Sequence, residues 1–564
     1  MPSDDARLGT GHSAWMDAFF ASYYAHRPVN ATFIGTRGHD HRLPDLSESG
    51  MGDLLADTTD LLRRTEGEGA STSAPAKLDA RLARGFLKIQ DWELRSEHFQ
   101  RGNPSLYTGE AVFGVMSLFL NHSAPLDERV EAATQRMEAV ADLLARSREN
   151  VRAAPPAWTE RAIRECDGAL LFFTEGVEAL AQAQGIDSPA FEAAARDAAR
   201  AFSEHRAHLE SDLLLRPSDR YAAGAEALDL YLREGHVLLQ PAEEIVRYAE
   251  EQMAEAAAYL REHSADFGIA TPTEVLAGLS DIHPEPEAYY ARYEEVWDAV
   301  RRIADERALL TWPDFPIRYV PRPEWSRKAA PFLYFLFYRS PAAFNRPEVH
   351  DYLVMPLDPP AEADETRAFL RANNDSVIKL NHVVHHGGIG HHVQNWHAFR
   401  AESRIGQVAA VDCASRIAMF CGGTMAEGWA CYATDLAAEA GALTPLEQFA
   451  EVHGRIRMAT RTVVDVRLHR GEMSLDDAAA YYQAHAGMSA GAAHGEAVKN
   501  SMFPGAAVMY LTGTDAIHEL RQEMMKRQGP DFELRSFHDT FLSYGSIPVT
   551  LVAEEMKRSA DDAE

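Results

Sequence analysis

Two pairs of adjacent histidines are the residues of this sequence with the clearest chemical potential. They are the two ends of the stretch HHGGIGHH at 385–392, and six of the sixteen residues from 382 to 397 are histidine. Neutral imidazole is the commonest protein ligand for zinc and similar metals. The cluster therefore predicts a metal site.

The spacing of these histidines does not decide which of them bind. Several pairs lie three, four or seven residues apart, the separations that put two side chains on one helix face, so His382 and His392 stay open as further ligands. Gly387, Gly388 and Gly390 each disfavour a helix by about 1 kcal/mol relative to alanine. We predict a break in the helix between the two pairs.

A hydrolytic metal site usually includes a carboxylate ligand, and Glu427 is the best candidate. It lies near the start of MAEGWACYATDLAAEAG at 425–441, a stretch with helical character. Glu427 is the only charged residue between Arg416 and Asp435. This isolation indicates an acid that points inward.

The elements that must position these residues form a mainly α protein. From about 77 to 310 the chain is rich in Ala, Glu, Leu and Arg at helical spacing, as at 130–151 and 189–214. The proline-rich and aromatic segments at 312–325 and 351–360 indicate a small β-sheet, and helical patterns resume near 364. We predict an N-terminal helical region, 1–310, and a metal-site region, 311–564, in one body with a central cleft.

Composition limits the partners of the protein. The 564 residues include 55 Lys and Arg against 85 Asp and Glu, and the resulting net charge of −30 disfavours nucleic acid and anionic membranes. The four cysteines make no C-x-x-C, no apolar run is long enough to span a bilayer, and the N-terminus lacks a signal-peptide pattern. We expect a soluble cytoplasmic protein with no nucleic-acid or membrane partner; its oligomeric state is left open.

Five ordered motifs extend the pattern beyond the histidines: HHGGIGHHVQ at 385–394, EGWACY at 427–432, DVRLH at 465–469, EAVKNSMFPG at 496–505 and FHDTFLSYGSIP at 537–548. In these motifs the chain resembles the bacterial family catalogued as domain of unknown function 885. That family is similar to the helical gluzincin metallopeptidases. The resemblance implies a zincin-like helical body with the fold of thermostable (Taq-type) carboxypeptidases.

The resemblance also selects a ligand set. It implies that His385 and His391 are the histidine ligands and that Glu427 is the carboxylate ligand. Two histidines, a glutamate and an open position make up a hydrolytic zinc site. Zinc is the expected cofactor, although the extra imidazoles also suit iron, manganese or copper.

Departures from the family pattern fall on residues expected to do chemistry. His386 stands where the family has its catalytic glutamate, so an imidazole would have to act as the base or would bind the metal instead. Lys499 and Asn500 replace an arginine and a tyrosine expected to bind substrate. His469 and Tyr510 match family positions and are expected to polarise or orient the substrate.

These residues predict a metal-dependent hydrolase, similar to metallopeptidases and carboxypeptidases, that acts on a peptide or amide. Two alternatives remain. In the first, the metal site serves non-hydrolytic chemistry, which the missing glutamate favours. In the second, an inactive descendant binds a peptide or another small molecule in the old cleft. The identity of the substrate is left open.

Overall fold

A computed structural model of the protein describes residues 14–65, 73–120, 124–333, 339–357, 362–411 and 418–561. Helices make up 73% of the structure, and the sheet of the described residues has two parallel strands. The predicted mainly α fold with a small β-sheet is therefore confirmed. No helix in these ranges combines the length and apolar character needed to cross a membrane.

Within the described ranges, thirteen α-helices precede the sheet: α1 Ala14–His26, α2 Pro28–Ile34, α3 Glu48–Thr65, α4 Ala74–Arg95, α5 Ser105–Leu120, α6 Leu126–Asn150, α7 Pro156–Leu171, α8 Val177–Gln184, α9 Pro189–Ser211, α10 Ala225–Leu230, α11 Ala242–His263, α12 Pro272–Ala277 and α13 Tyr289–Glu306. The described α-helices that follow strand β1 are α14 Glu324–Arg327, α15 Ala363–Ala372, α16 His391–Ala398, α17 Arg404–Val408, α18 Gly423–Glu439, α19 Pro445–His469, α20 Leu475–Ala486, α21 Ala490–Met502, α22 Met509–Gln528, α23 Leu534–Ser543 and α24 Val549–Asp561.

Shorter 3₁₀- and π-helices connect several of these elements. The 3₁₀-helices are Leu213–Leu215, Ser264–Phe267, Gly278–Asp281, Pro286–Ala288 and Gly529–Asp531. The π-helices are Phe172–Gly176, Tyr231–Gly235, Val377–Gly387 and Ala418–Gly422.

The long helices begin where the sequence provides capping residues. The side chain of Ser188 accepts the backbone N–H of Phe191 at the start of α9, and proline follows it at the first helical position. Thr444 and Glu447 form a capping box at the start of α19, in which each side chain binds the other residue's backbone N–H. These caps satisfy N–H groups that the first helical turn leaves without an acceptor.

The sheet lies between α13 and the histidine region. Strands β1 (Ile317–Pro321) and β2 (His350–Val354) run parallel, and their register pairs Ile317 with His350 and Pro321 with Val354. The two strands overlap the two segments from which a sheet was predicted. Tyr352 points from β2 into the core and reaches the histidine region.

The largest hydrophobic core contains residues from both ends of the chain. Phe420 packs edge-on against Tyr231 with a centroid distance of 4.8 Å, and the same core holds Phe86 of α4 and Phe541 of α23. A second core lies among α5, α6, α7 and α9. The sharing of one core connects the two regions on either side of residue 310, while the boundary itself stays a prediction.

Candidate metal centre

The two histidine pairs lie on different elements that meet at a tight connection. His385 and His386 end the π-helix Val377–Gly387, and His391 begins α16. Gly388 and Gly390 between them have non-helical backbone angles, with ψ of −114° and −122°. The predicted break is confirmed, and it lets the second pair fold back onto the first.

Three imidazoles converge at this connection. One ligand nitrogen from each of His385, His386 and His391 lies within 4.8 Å of the others. The ring centroids are 4.6 Å apart for His385 and His386 and 4.9 Å apart for His385 and His391. This grouping brings together the two predicted histidine ligands and the predicted catalytic histidine.

Glu427 of α18, the predicted carboxylate ligand, approaches the same point. Its Oε2 lies 3.5 Å from Nε2 of His385 and 3.8 Å from Nε2 of His391. Burial disfavours its charge, but the hydrogen bond from His385 and the electrostatic attraction of His391, His385 and Lys499 outweigh burial and lower the pKa of Glu427 to about 2. The carboxylate is therefore ionised at neutral pH.

The ring of His386 is held in one orientation. Its Nδ1 lies 2.6 Å from the carbonyl oxygen of Asn381, five residues earlier in the π-helix. This hydrogen bond places the proton on Nδ1, so that Nε2 carries the lone pair. Burial, followed by the neighbouring His385 and His391, lowers the pKa of His386 well below its usual value, which keeps the ring neutral.

His382 and His392 point away from the cluster. Nδ1 of His382 lies 2.6 Å from the hydroxyl of Tyr352 in the sheet. Nε2 of His392 lies 2.7 Å from the carbonyl oxygen of Phe315, and its ring stacks on the Phe315 ring. Neither histidine belongs to the metal-ligand group found among the described residues.

Two tryptophans hold the glycine connection in place. The indole N–H of Trp429 donates to the carbonyl of Ile389 at 2.9 Å, and that of Trp297 donates to the carbonyl of Gly387 at 3.0 Å. Trp429 lies two residues after Glu427. The same helix therefore supplies the carboxylate and fixes the loop between the histidine pairs.

Helix α18 is itself fixed by a close helix crossing. A Cβ at Gly428 would lie 2.7 Å from Cα of Gly513 in α22, which is closer than real Cβ contacts. Glycine at both positions lets the backbones of α18 and α22 touch, and this crossing sets the position of Glu427 next to Gly428.

The centre opens into a cavity of about 1100 Å³. Lys499 and Asn500 of α21 and Tyr510 of α22 line this cavity together with the histidine cluster. The structure thus places both predicted substrate-binding residues and two of the three predicted catalytic residues, His386 and Tyr510, on its wall.

His469 is placed differently. It is fully buried, its Nδ1 accepts the backbone N–H of Ala223 at 3.2 Å, and its Nε2 donates to the carbonyl of Asn500 at 2.9 Å. It is not among the described residues that line the cavity. His469 therefore positions the backbone of Asn500, and its predicted action on a substrate stays untested.

Several polar residues on the cavity wall were not predicted from the sequence. Nε of Arg461 lies 2.9 Å from Oε1 of Glu496, and the Arg461 guanidinium lies 4.8 Å from the centre of the Tyr510 ring. Arg457 lines the cavity one helical turn before Arg461. Their four-residue spacing was the available signal, but no motif distinguished this face of α19 from a solvated one.

The donor set fits a divalent metal ion. Neutral imidazoles and an ionised carboxylate are the forms in which these side chains bind metals, and imidazole suits zinc, iron and copper. Metal-binding histidines usually donate their other ring N–H to a carbonyl or carboxylate oxygen, and His386 donates such a bond to a backbone carbonyl.

The fold and the site define a helical protein with a candidate metal centre in the wall of a large cavity. Residues 28–556 match the model of a family described as "Bacterial protein of unknown function (DUF885)", and the chain belongs to this family. No curated protein matches the chain.

Two solved structures have a similar fold. One is a "putative lipoprotein of unknown function" from Shewanella oneidensis, with 21% identity, a TM-score of 0.76 and coverage of 96% of this chain and 99% of that chain. The other is described as a "putative lipoprotein" from Colwellia psychrerythraea, with 14% identity, a TM-score of 0.75 and coverage of 97% of this chain and 99% of that chain. At these identities the likeness concerns the fold alone.

Proposed function

We propose that this protein is a metal-dependent hydrolase that cleaves a peptide or amide bond. His385, His391 and Glu427 would hold the metal, with zinc as the first candidate. The observation that carries the proposal is the approach of Glu427 Oε2 to both imidazole nitrogens at 3.5 and 3.8 Å in the wall of a large cavity. The resemblance of the sequence motifs to gluzincin metallopeptidases supports the same chemistry.

A bound divalent cation supplies Lewis acidity, which polarises a carbonyl and lowers the pKa of water. The side chains of the protein supply the proton transfers. His386 is neutral and carries its lone pair on Nε2, so it can accept a proton from the attacking water and return it to the leaving amine. The carbonyl of Asn381 stabilises the imidazolium formed in between, because it accepts the Nδ1 proton at 2.6 Å.

In this proposal Lys499 and Tyr510 bind the substrate. Both line the cavity beside the centre. An ammonium and a phenolic hydroxyl there can donate hydrogen bonds to a carbonyl oxygen as negative charge develops on it. Asn500 adds an amide whose backbone is fixed by His469 at 2.9 Å.

Removal of the metal tests this function. We expect zinc-loaded protein to hydrolyse members of a panel of N-acylated dipeptides and amides, activity to disappear after chelation, and zinc to restore it. His385→Ala should lose both zinc and activity. His397→Ala is the matched control, because His397 lies in the same short helix as His391 but outside the ligand group. Hydrolysis that survives chelation, or a zinc-loaded protein inactive on the whole panel, would contradict the proposal.

A second candidate is a metalloenzyme with non-hydrolytic chemistry. It is favoured by one observation, the ligand nitrogen of His386 within 4.8 Å of those of His385 and His391. If His386 also binds, three nitrogens and the Glu427 carboxylate fill a tetrahedral site and leave no open position on zinc. Iron or manganese, which accept more ligands, would then fit better. Metal analysis of protein purified without added zinc distinguishes the two candidates.

A further inference from the structure

One face of α19 forms a long wall of the cavity. The cavity-lining residues of this helix recur every three or four positions, so they share one helix face; they are Ala450, Glu451, His453, Gly454, Arg457, Met458 and Arg461. Eleven residue steps of α-helix span about 17 Å. The cavity therefore extends well beyond the space that a metal ion and one reacting bond need.

Arg457 is a charged side chain on this wall that points into the cavity. The residue is exposed, and it is one of those that line the cavity. Its guanidinium forms no hydrogen bond or ion pair with any residue that the structure describes. Its five N–H donors are thus available to a ligand that enters the cavity.

The neighbouring charges leave a positive excess around Arg457. Glu496 is engaged by Arg461 at 2.9 Å, and Lys499 adds a further cation to the cavity wall. Burial raises the pKa of Glu451 to about 7, so this acid is largely uncharged in mildly acidic solution. In such solution three cations, Arg457, Arg461 and Lys499, face the two ionised acids Glu496 and Glu427 on this wall.

The position of Arg457 relative to the metal centre follows from the way α19 lies beside α18. Glu427 interacts electrostatically with Arg461, and Cys431, one turn further along α18, interacts with both Arg461 and Arg457. Helices α18 and α19 therefore lie side by side, with Glu427 at the level of Arg461. Arg457 lies about one helical turn, or about 5 Å, beyond the level of Glu427.

We propose that Arg457 binds a carboxylate of the substrate while the reacting carbonyl lies at the histidine cluster. The planar guanidinium matches a carboxylate through two parallel hydrogen bonds. A single negative charge fits better than a phosphate dianion, because Glu496 and Glu427 face the same space. The substrate is then a short acylated peptide or amide that carries a free carboxylate, and Arg457 is a specificity-determining residue. The placement of the reacting carbonyl at the histidine cluster rests on the proposed hydrolase function.

Binding of matched ligands tests this assignment. The probes are N-acetyl dipeptides, each as the free acid and as its C-terminal amide, titrated by calorimetry into the zinc-loaded full chain. We expect the free acids to bind about tenfold or more tightly than the amides, as a charge-assisted hydrogen-bonded pair predicts. Arg457→Gln should remove this preference without weakening the amides, and Arg457→Lys should retain part of it.

The control is Arg467→Gln. Arg467 belongs to the same helix but pairs with Glu250 outside the cavity lining, so the preference should persist. The assignment is overturned if free acids bind no more tightly than amides, or if Arg457→Gln keeps the preference or weakens both forms equally. Failure of the hydrolase proposal can be distinguished from failure of this assignment. It would be seen as a lack of metal-dependent hydrolysis, whatever binding preference is measured.

Discussion

The chemistry of the centre depends most on His386. Its ring lies beside His385, with centroids 4.6 Å apart, and its proton is fixed on Nδ1 by the carbonyl of Asn381. An imidazole held in this way can accept a proton or bind a metal, since both use the lone pair on Nε2. The two roles differ in what happens to the metal when the side chain is removed.

His386→Ala separates these roles. We expect the variant to retain zinc at nearly wild-type stoichiometry and to lose about 100- to 10,000-fold in turnover, the usual contribution of a general base. Zinc content and hydrolysis rate are measured on the same preparation. The comparison variant is His391→Ala, which should lose zinc. If His386→Ala loses as much zinc as His391→Ala, His386 is a ligand and the non-hydrolytic candidate gains support.

At the scale of elements, the glycine connection and the helix of Glu427 could both be predicted from the sequence. Gly388 and Gly390 signalled the break, and the isolated charge of Glu427 signalled an inward-pointing acid. The π-winding of 377–387 could not be predicted, because no local pattern distinguishes it from an α-helix. The hydrogen bonds from Trp297 and Trp429 to the connection depend on residues distant in sequence, so they also require the structure.

A substitution at Gly390 tests whether zinc binding depends on the tight connection between the two histidine pairs. A Cβ at this position would overlap the carbonyl oxygen of His385, so the backbone between the two histidine pairs would have to move apart. We expect Gly390→Ala to weaken zinc binding at least about tenfold, because the positions of ligating groups tolerate little displacement. A zinc titration with a competing chelator measures the change.

Gly495→Ala is the control for that experiment. A Cβ at Gly495 meets no atom within 4 Å, and the residue lies on an exposed face of α21. This substitution should leave zinc affinity unchanged and raise the free energy of unfolding by up to about 1 kcal/mol, since alanine favours a helix over glycine. Unchanged zinc affinity in Gly390→Ala as well would show that the connection does not position the ligands.

At the scale of the whole molecule, composition and periodicity were sufficient to predict a mainly α fold with a small sheet. The wall of the cavity was not predictable in the same way. It combines residues from α5, α19, α21 and α22, so its charge pattern exists only after these elements pack. Arg457 illustrates this limit: in the sequence it is one of several arginines in α19, and only the fold distinguishes it from Arg467.

Anomalous diffraction from zinc-loaded crystals tests the metal centre most directly, because it reports the metal and its ligands together. We predict one strong peak about 2.0 to 2.1 Å from nitrogens of His385 and His391 and about 2.0 to 2.2 Å from an oxygen of Glu427. A zinc-loaded crystal with no peak at this point, or with its peak elsewhere in the cavity, would contradict the assignment of these three residues as ligands.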